Sequence, residues 1–358
     1  MTGLRFLLAL WVIVHHLTGP KMMLEPWTLS LSPMWQNVVH GGYLAVGTFF
    51  VLSGFVLGQS YSSASWDRRS LLRYCAARCA RVYPVYALSL LVMIPFIASE
   101  LMDPVRTGVE LSQKAGLLAN YGLVLQGWFL NLPVHWNTPA WSLSCEFFFY
   151  LCFPVAAFLL RGAGWLRLGL LTLLALALPN LLSALHVSHA FKPLYHVGDF
   201  LIGIVAARLY CEVLRGRFHG LGYWLYIPAA VAGFLIVSTP TLVPHHIMLN
   251  SALRPFNALL LTGLALGGGF PVTALSTSVA GFLGRASYSM YILHIPMLWW
   301  FKRFFTGIGA PNVMALIYIG GVIAVSGWVC ERVEEPASKR IRDWVSLRLR
   351  PSVRRSEV

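Results

Sequence analysis

Ten apolar runs of about 17 to 25 residues divide the chain, each long enough to cross a lipid bilayer as a helix. They fall near 4 to 21, 41 to 60, 80 to 99, 140 to 160, 166 to 184, 196 to 213, 221 to 238, 254 to 270, 282 to 301 and 312 to 331. A further stretch, 115 to 130, reads as an additional span or as a re-entrant or interfacial helix. The first run is followed by Leu17-Thr18-Gly19-Pro20-Lys21, without the small-residue pattern of a cleavable signal, so it is expected to stay in the mature protein. The pattern predicts an all-α, polytopic transmembrane bundle of about ten helices. We divide it into a membrane domain over residues 1–331 and a basic tail over 332–358.

Charge placement orients the bundle. With ten spans and the N-terminus inside, only Lys21, Arg106, Lys114, Lys192, Arg254, Lys302 and Arg303 fall outside, and the remaining 20 of 27 Lys and Arg fall inside. That asymmetry predicts cytoplasmic N- and C-termini. It also accounts for the +14 net charge without nucleic acid, because the basic residues are spread over successive loops and the tail. The tail is expected to rest on anionic lipid. Composition agrees, since 57% of residues are hydrophobic and 11% charged, with mean hydropathy +0.67, where soluble domains carry about 25% charged residues. The six cysteines form no CxxC pair, so neither structural disulfides nor a bound metal is expected.

Four clusters carry chemistry. Arg5 and His16 share the first run; eleven steps of about 100° bring their side chains to within about 20° of one face, roughly 16 Å apart along the axis. Ionisable groups at membrane depth usually face a cavity, a partner or a substrate. In the second cluster, Arg73, Arg78 and Arg81 precede Tyr83-Pro84, with Arg78 and Arg81 on one helical face. Such a segment either holds a loop inside or clamps a polyphosphate through guanidinium forks. The third runs from Asn137 to Tyr150, where Glu146 lies within an apolar span and Ser142 and Tyr150 flank it one turn away on the same face. The alternative for Glu146 is a hydrogen bond that merely joins helices. In the fourth, Tyr288, Tyr291 and His294 form a polar line down one span, His294 serving either packing or function.

Taken together these clusters resemble the acyltransferase-3 family of integral membrane O-acyltransferases. The matching pieces are Gly3-Leu4-Arg5 with His16, Phe49-Phe50-Val51-Leu52-Ser53-Gly54-Phe55, Arg78-x-x-Arg81 running into Tyr83-Pro84, Trp141-Ser142-Leu143 with Glu146 and Phe149-Tyr150, and Ser287-Tyr288-Ser289 with Tyr291 and His294-Ile295-Pro296. The doubled histidine His15-His16 departs from the pattern; spacing makes His16 the counterpart, while His15 points roughly 80° away. The resemblance implies transfer of an acyl group, most often acetyl, from cytosolic acyl-CoA to a hydroxyl of a carbohydrate, glycolipid or other envelope acceptor, by an enzyme of the bacterial plasma membrane. A small metabolite such as a macrolide is the alternative acceptor. Arg5 and His16 fall on the family's essential pair, Arg78 and Arg81 on its Arg-x-x-Arg motif, and Glu146 on its intramembrane acid.

Residue chemistry fits this expectation. Acyl transfer to an alcohol needs a base, and imidazole titrates near the working pH, so His16 is the candidate general base, with Glu146 orienting the acceptor or the histidine. An acyl-histidine intermediate at His16 is the competing route. Arg5, Arg73, Arg78 and Arg81 are candidate contacts for acyl-CoA. Ser142, Tyr150, Trp141, Tyr288 and His294 are candidate substrate contacts. The outer segment 100 to 139, with Trp128, His135 and Trp136, suits either sugar contact or interfacial anchoring. His186, His189, His245 and His246 fall on outer loops, where metal binding is the disfavoured alternative. The rival class is a transporter or proton-coupled channel, disfavoured by the absence of repeated, Gly- or Pro-broken halves.

Overall fold

The computed structural model describes residues 1–61, 66–102, 111–129, 136–160, 162–188, 191–243 and 252–349, and the regular structure in them is helical, with no strand. His135, His189, His245 and His246 lie outside the described residues. The helices are α1 (Thr2–Leu17), α2 (Glu25–Leu29), α3 (Pro33–His40), α4 (Ala45–Ser60), α5 (Arg68–Met102), α6 (Leu111–Gly122), α7 (Trp141–Leu159) and α8 (Trp165–Ala184). They continue with α9 (Lys192–Leu209), α10 (Tyr223–Ser238), α11 (Arg254–Leu266), α12 (Phe270–Leu275), α13 (Ser278–Phe305), α14 (Pro311–Val329) and α15 (Glu335–Arg348). All ten apolar runs are helical over most of their length. Among the described residues, five stretches, Pro33–Ser60, Arg68–Met102, Thr138–Leu159, Trp165–Ala184 and Pro311–Arg348, are long and apolar enough to cross a membrane. Of the segment 115 to 130, the described residues 115–129 form the end of α6 and a run of turns that docks on α7, where Gly127 N donates to Ser144 Oγ at 3.0 Å. A π-helical turn over Cys330–Glu334 joins α14 to α15, so the chain stays helical across 331/332, and α15 packs on α5.

Small residues decide which helices meet. Lipid offers no hydrophobic drive between helices, so close backbone approach must supply the contact energy. α4 carries Gly54 and Gly58, α9 carries Gly203 and Ala207, and the two helices cross there. A methyl group on Gly54 would lie 2.0 Å from the Phe200 carbonyl oxygen, and one on Gly203 would lie 2.1 Å from that of Val51. Gly54→Ala is therefore expected to lower stability by about 1 to 3 kcal/mol, the usual cost of overpacking, with backbone as the obstacle. Thermal melting in detergent checks this; an unchanged melting point would show that the crossing is loose. α1 and α13 approach similarly, since a methyl group on Gly284 would lie 1.9 Å from the Thr2 carbonyl oxygen.

Prolines inside the helices create polar demands that cross-links then meet. A proline lacks the N–H that would bond the carbonyl four residues back, and lipid holds no water to replace it. Pro154 thus frees the carbonyl of Tyr150, which accepts from the Tyr74 hydroxyl at 3.0 Å. Pro179 frees that of Ala175, which accepts from Arg254 Nη1 at 2.7 Å. Pro296 frees that of Ile292, which accepts from Asn137 Nδ2 at 3.1 Å. In each case a donor from elsewhere in the chain is pinned to the kinked helix, and the three pins tie α5 to α7, α11 to α8, and the turn before α7 to α13.

Candidate active site

A cavity of about 280 Å³ opens between α1, α4, α5, α7 and α13. Its polar wall holds Arg5, Arg78, Arg81, Glu146, Tyr150 and Tyr288, together with Ser53, Ser142, Ser287 and Tyr291. Val46, Phe49, Phe50, Val56, Leu57 and Leu143 supply the apolar wall. From Val46 to Leu57 the α4 wall rises about 16 Å, so the space runs along much of a helix span. The sequence-predicted Arg5, Arg78, Arg81, Glu146, Ser142, Tyr150 and Tyr288 are thereby brought to one site from four helices.

The arginines are held differently. Arg81 forms an ion pair with Glu334, which is 2% exposed and also accepts from Ser289 Oγ at 2.7 Å. The Arg81 guanidinium lies 5.1 Å from the Tyr288 ring centroid, and the Tyr288 hydroxyl donates to the Val82 carbonyl at 2.6 Å, which staples α13 to α5. Arg78 has its guanidinium 5.8 Å from the Tyr74 ring and 5.5 Å from the Tyr150 ring, while its buried Nε has no hydrogen-bond partner. A buried unpaired donor costs roughly 1 to 3 kcal/mol, so an anion arriving here is favoured. Arg73 is exposed and does not line the cavity. Glu146 lies beside the Tyr150 hydroxyl and within the electrostatic reach of Arg5 and Arg81.

His16 sits beyond the far end of this space. Its Nδ1 is 2.9 Å from the Val12 carbonyl oxygen and 3.3 Å from His294 Nε2. On α13 the cavity wall ends at Tyr291, whose hydroxyl meets Ser142 Oγ at 3.0 Å and whose ring contacts that of Phe49. The His294 ring lies 6.0 Å past the Tyr291 ring, and the His16 ring 5.0 Å past that of His294. Phe49 and Tyr291 thus stand between the arginine-lined space and the histidine pair. Among the described residues, the hydrogen-bond partners of His16 are the Val12 carbonyl and His294, and Glu146 is not one of them. His15 turns to the opposite neighbour, its Cβ against Gly42 and its ring 5.6 Å from that of Tyr43.

Three features went unseen in the sequence. Asp199, inside the span begun by α9, forms a buried ion pair with Arg254: Nε to Oδ1 is 2.8 Å and Nη2 to Oδ2 is 3.2 Å. His196 Nδ1 lies 3.0 Å from the same Oδ2, and its ring packs 5.4 Å from that of Trp141 and 5.2 Å from that of Phe50. Trp141 therefore backs the site through Phe50 instead of lining it. Trp136, an expected surface aromatic, is 2% exposed and donates to Glu100 Oε2 at 2.6 Å.

Comparison with known proteins identifies the family. The acyltransferase-3 family model, described as Acyltransferase domain, matches residues 1–331. The chain belongs to the acyltransferase-3 family. Among its relatives, the acyltransferase MdmB of Streptomyces mycarofaciens is 26% identical, over 95% of this chain and 91% of its own. The exopolysaccharide production protein ExoZ of Rhizobium meliloti is 28% identical, over 84% of this chain and 91% of its own. A Staphylococcus aureus protein provisionally named O-acetyltransferase SACOL0978 is 21% identical, over 95% of this chain and 57% of its own. No solved structure gives a significant match. Family and apolar helices together make the protein an integral membrane acyltransferase.

Proposed function

We propose that this acyltransferase moves a short acyl group, acetyl in the simplest case, from cytosolic acyl-CoA to a hydroxyl of a carbohydrate or glycolipid acceptor, with His16 as general base. The observation that carries this reading is the cavity itself, in which Arg5, Arg78 and Arg81 gather at one end while the α1 face that holds Arg5 leads toward His16. The excess of Lys and Arg in the loops on the Arg5 side supports placing that end in the cytosol of a bacterial plasma membrane, with ten helices crossing. There the unpaired Nε of Arg78 and the cavity face of Arg5 would meet CoA phosphates. The names of ExoZ and of the S. aureus relative support a polysaccharide acceptor and an acetyl group.

The chemistry follows from these placements. The pantetheine arm extends along the cavity and past Phe49 and Tyr291, presenting the thioester carbonyl to the histidine pair. The acceptor hydroxyl gives its proton to His16 as its oxygen forms the new C–O bond. The C–S bond breaks, and the imidazolium returns the proton to the departing sulfur, leaving an ester and CoA thiol. Glu146, with Tyr150 beside it, orients the substrate on the cavity wall.

Acetyl-CoA is the probe that tests this. Purified protein is expected to melt higher in acetyl-CoA, by about 2.7 kcal/mol of added stability at 100-fold excess over Kd, and to release thiol slowly. Protein that neither gains stability nor releases thiol overturns the reading. Arg78→Lys keeps the charge but loses the planar fork, so the affinity for acetyl-CoA should fall about tenfold. Unchanged affinity would remove Arg78 from the donor site.

A further inference from the structure

His294 and His16 lie 278 residues apart in sequence, on different helices, yet their rings face each other inside the bundle. Hydrogen-bond chemistry fixes what each nitrogen must do. A carbonyl oxygen only accepts, so a ring nitrogen facing one carries a proton. His294 Nδ1 lies 2.7 Å from the Tyr291 carbonyl oxygen, and His16 Nδ1 lies 2.9 Å from that of Val12. Neutral His294 therefore carries its proton on Nδ1 and a lone pair on Nε2. That lone pair faces His16 Nδ1 at 3.3 Å, so the His16 proton is shared between the Val12 carbonyl and His294. The only lone pair left on the two rings is at His16 Nε2.

We propose that His294 is a positioning residue: through Nε2 it accepts from His16 Nδ1, holds that ring in one orientation and tautomer, and leaves His16 Nε2 as the working base. The proposal rests on the reading of His16 as general base and replaces substrate contact as the role of His294. His294 is 1% exposed, both its nitrogens are engaged, and the cavity wall on its helix stops one turn earlier at Tyr291. It has nothing left to offer a substrate. Its own place is set from three sides: the Tyr318 hydroxyl donates to its carbonyl, Asn137 pins the Ile292 carbonyl below it, and the close α1 to α13 approach at Gly284 sets the register of the two rings.

Thiol release from acetyl-CoA by purified variants tests this. Groups that orient a metal-bound histidine from behind are worth about 10- to 100-fold, and by analogy H294L is expected to lower kcat by at least about tenfold with KM for acetyl-CoA unchanged within about twofold. H294Q, whose amide oxygen can accept from His16 Nδ1, should recover most of kcat. H16A and the double variant H16A/H294L should be equally slow, because His294 acts through His16. H294M replaces H294L if the latter does not accumulate. Three results overturn the proposal: a normal kcat in H294L while H16A is inactive, H294Q as slow as H294L at equal melting temperature, or a further loss from H294L on top of H16A. An active H16A would instead overturn the base reading, and this proposal with it.

Discussion

His16→Ala is expected to slow acyl transfer by about 10²- to 10⁴-fold, the usual contribution of a general base, or about 2.7 to 5.5 kcal/mol of transition-state stabilisation. The variant should still accumulate, with stability lowered only by the cost of leaving the buried His294 Nε2 without its partner, about 1 to 3 kcal/mol. His16 bonds a carbonyl of its own helix, and α1 is held to the bundle by the packing of Leu4, Leu8, Ala9, Val12, Ile13 and Leu17, none of which the substitution touches. Loss of rate without loss of fold separates a chemical role from a structural one. Added imidazole, small enough to enter the space left by the ring, should restore part of the rate. A variant that transfers at the parent rate would remove His16 from the reaction. Labelled acetyl-CoA addresses the order of events: under direct transfer no label stays on the chain after denaturation, whereas an acyl-histidine route leaves label on the parent and none on H16A.

How far the site was legible depended on whether a signal stayed within one helix. Arg78 and Arg81 at i, i+3, and Ser142, Glu146 and Tyr150 at successive turns, reach the same cavity because helical geometry alone puts them on one face. Arg73, five residues before Arg78, is about 140° around the helix from it and is exposed. Contacts between helices were hidden. Nothing in α1 says that its histidine will meet one on α13, because that depends on the register set where Gly284 meets the Thr2 carbonyl. The small-residue spacing of Gly54 and Gly58 and the prolines at 154, 179 and 296 are signals of a close crossing and three freed carbonyls that went unread. They could not say which helix or side chain would answer. Arg254 was misleading for a related reason. At the start of a span it passes for an interfacial cation in an outer loop, yet it is 1% exposed. The readable signal was Asp199, an acid within an apolar run that needed a partner.

Arg254→Leu is expected to be the most destabilising of the single changes considered, by about 3 to 5 kcal/mol, because it strands the buried Asp199 carboxylate. Arg254 also serves the Ala175 carbonyl that Pro179 leaves open and donates to the Tyr195 carbonyl at 2.6 Å, so one side chain joins α8, α9 and α11. Gly198 is what admits it, since a methyl group there would lie 2.7 Å from Arg254 Nη1. Melting in detergent should fall sharply in R254L; a parent-like melting point would mean that the clamp contributes nothing. The double variant R254L/D199L removes both charges and should regain much of the loss, as replacing a buried ion pair by apolar groups often does. Activity is informative in the same pair. The clamp supports α9, and through His196 it backs Phe50 of the cavity wall and Trp141 behind it. If its role is support, R254L/D199L should recover rate along with stability. A double variant that melts like the parent yet stays inactive would move Asp199 and His196 from the scaffold into the chemistry.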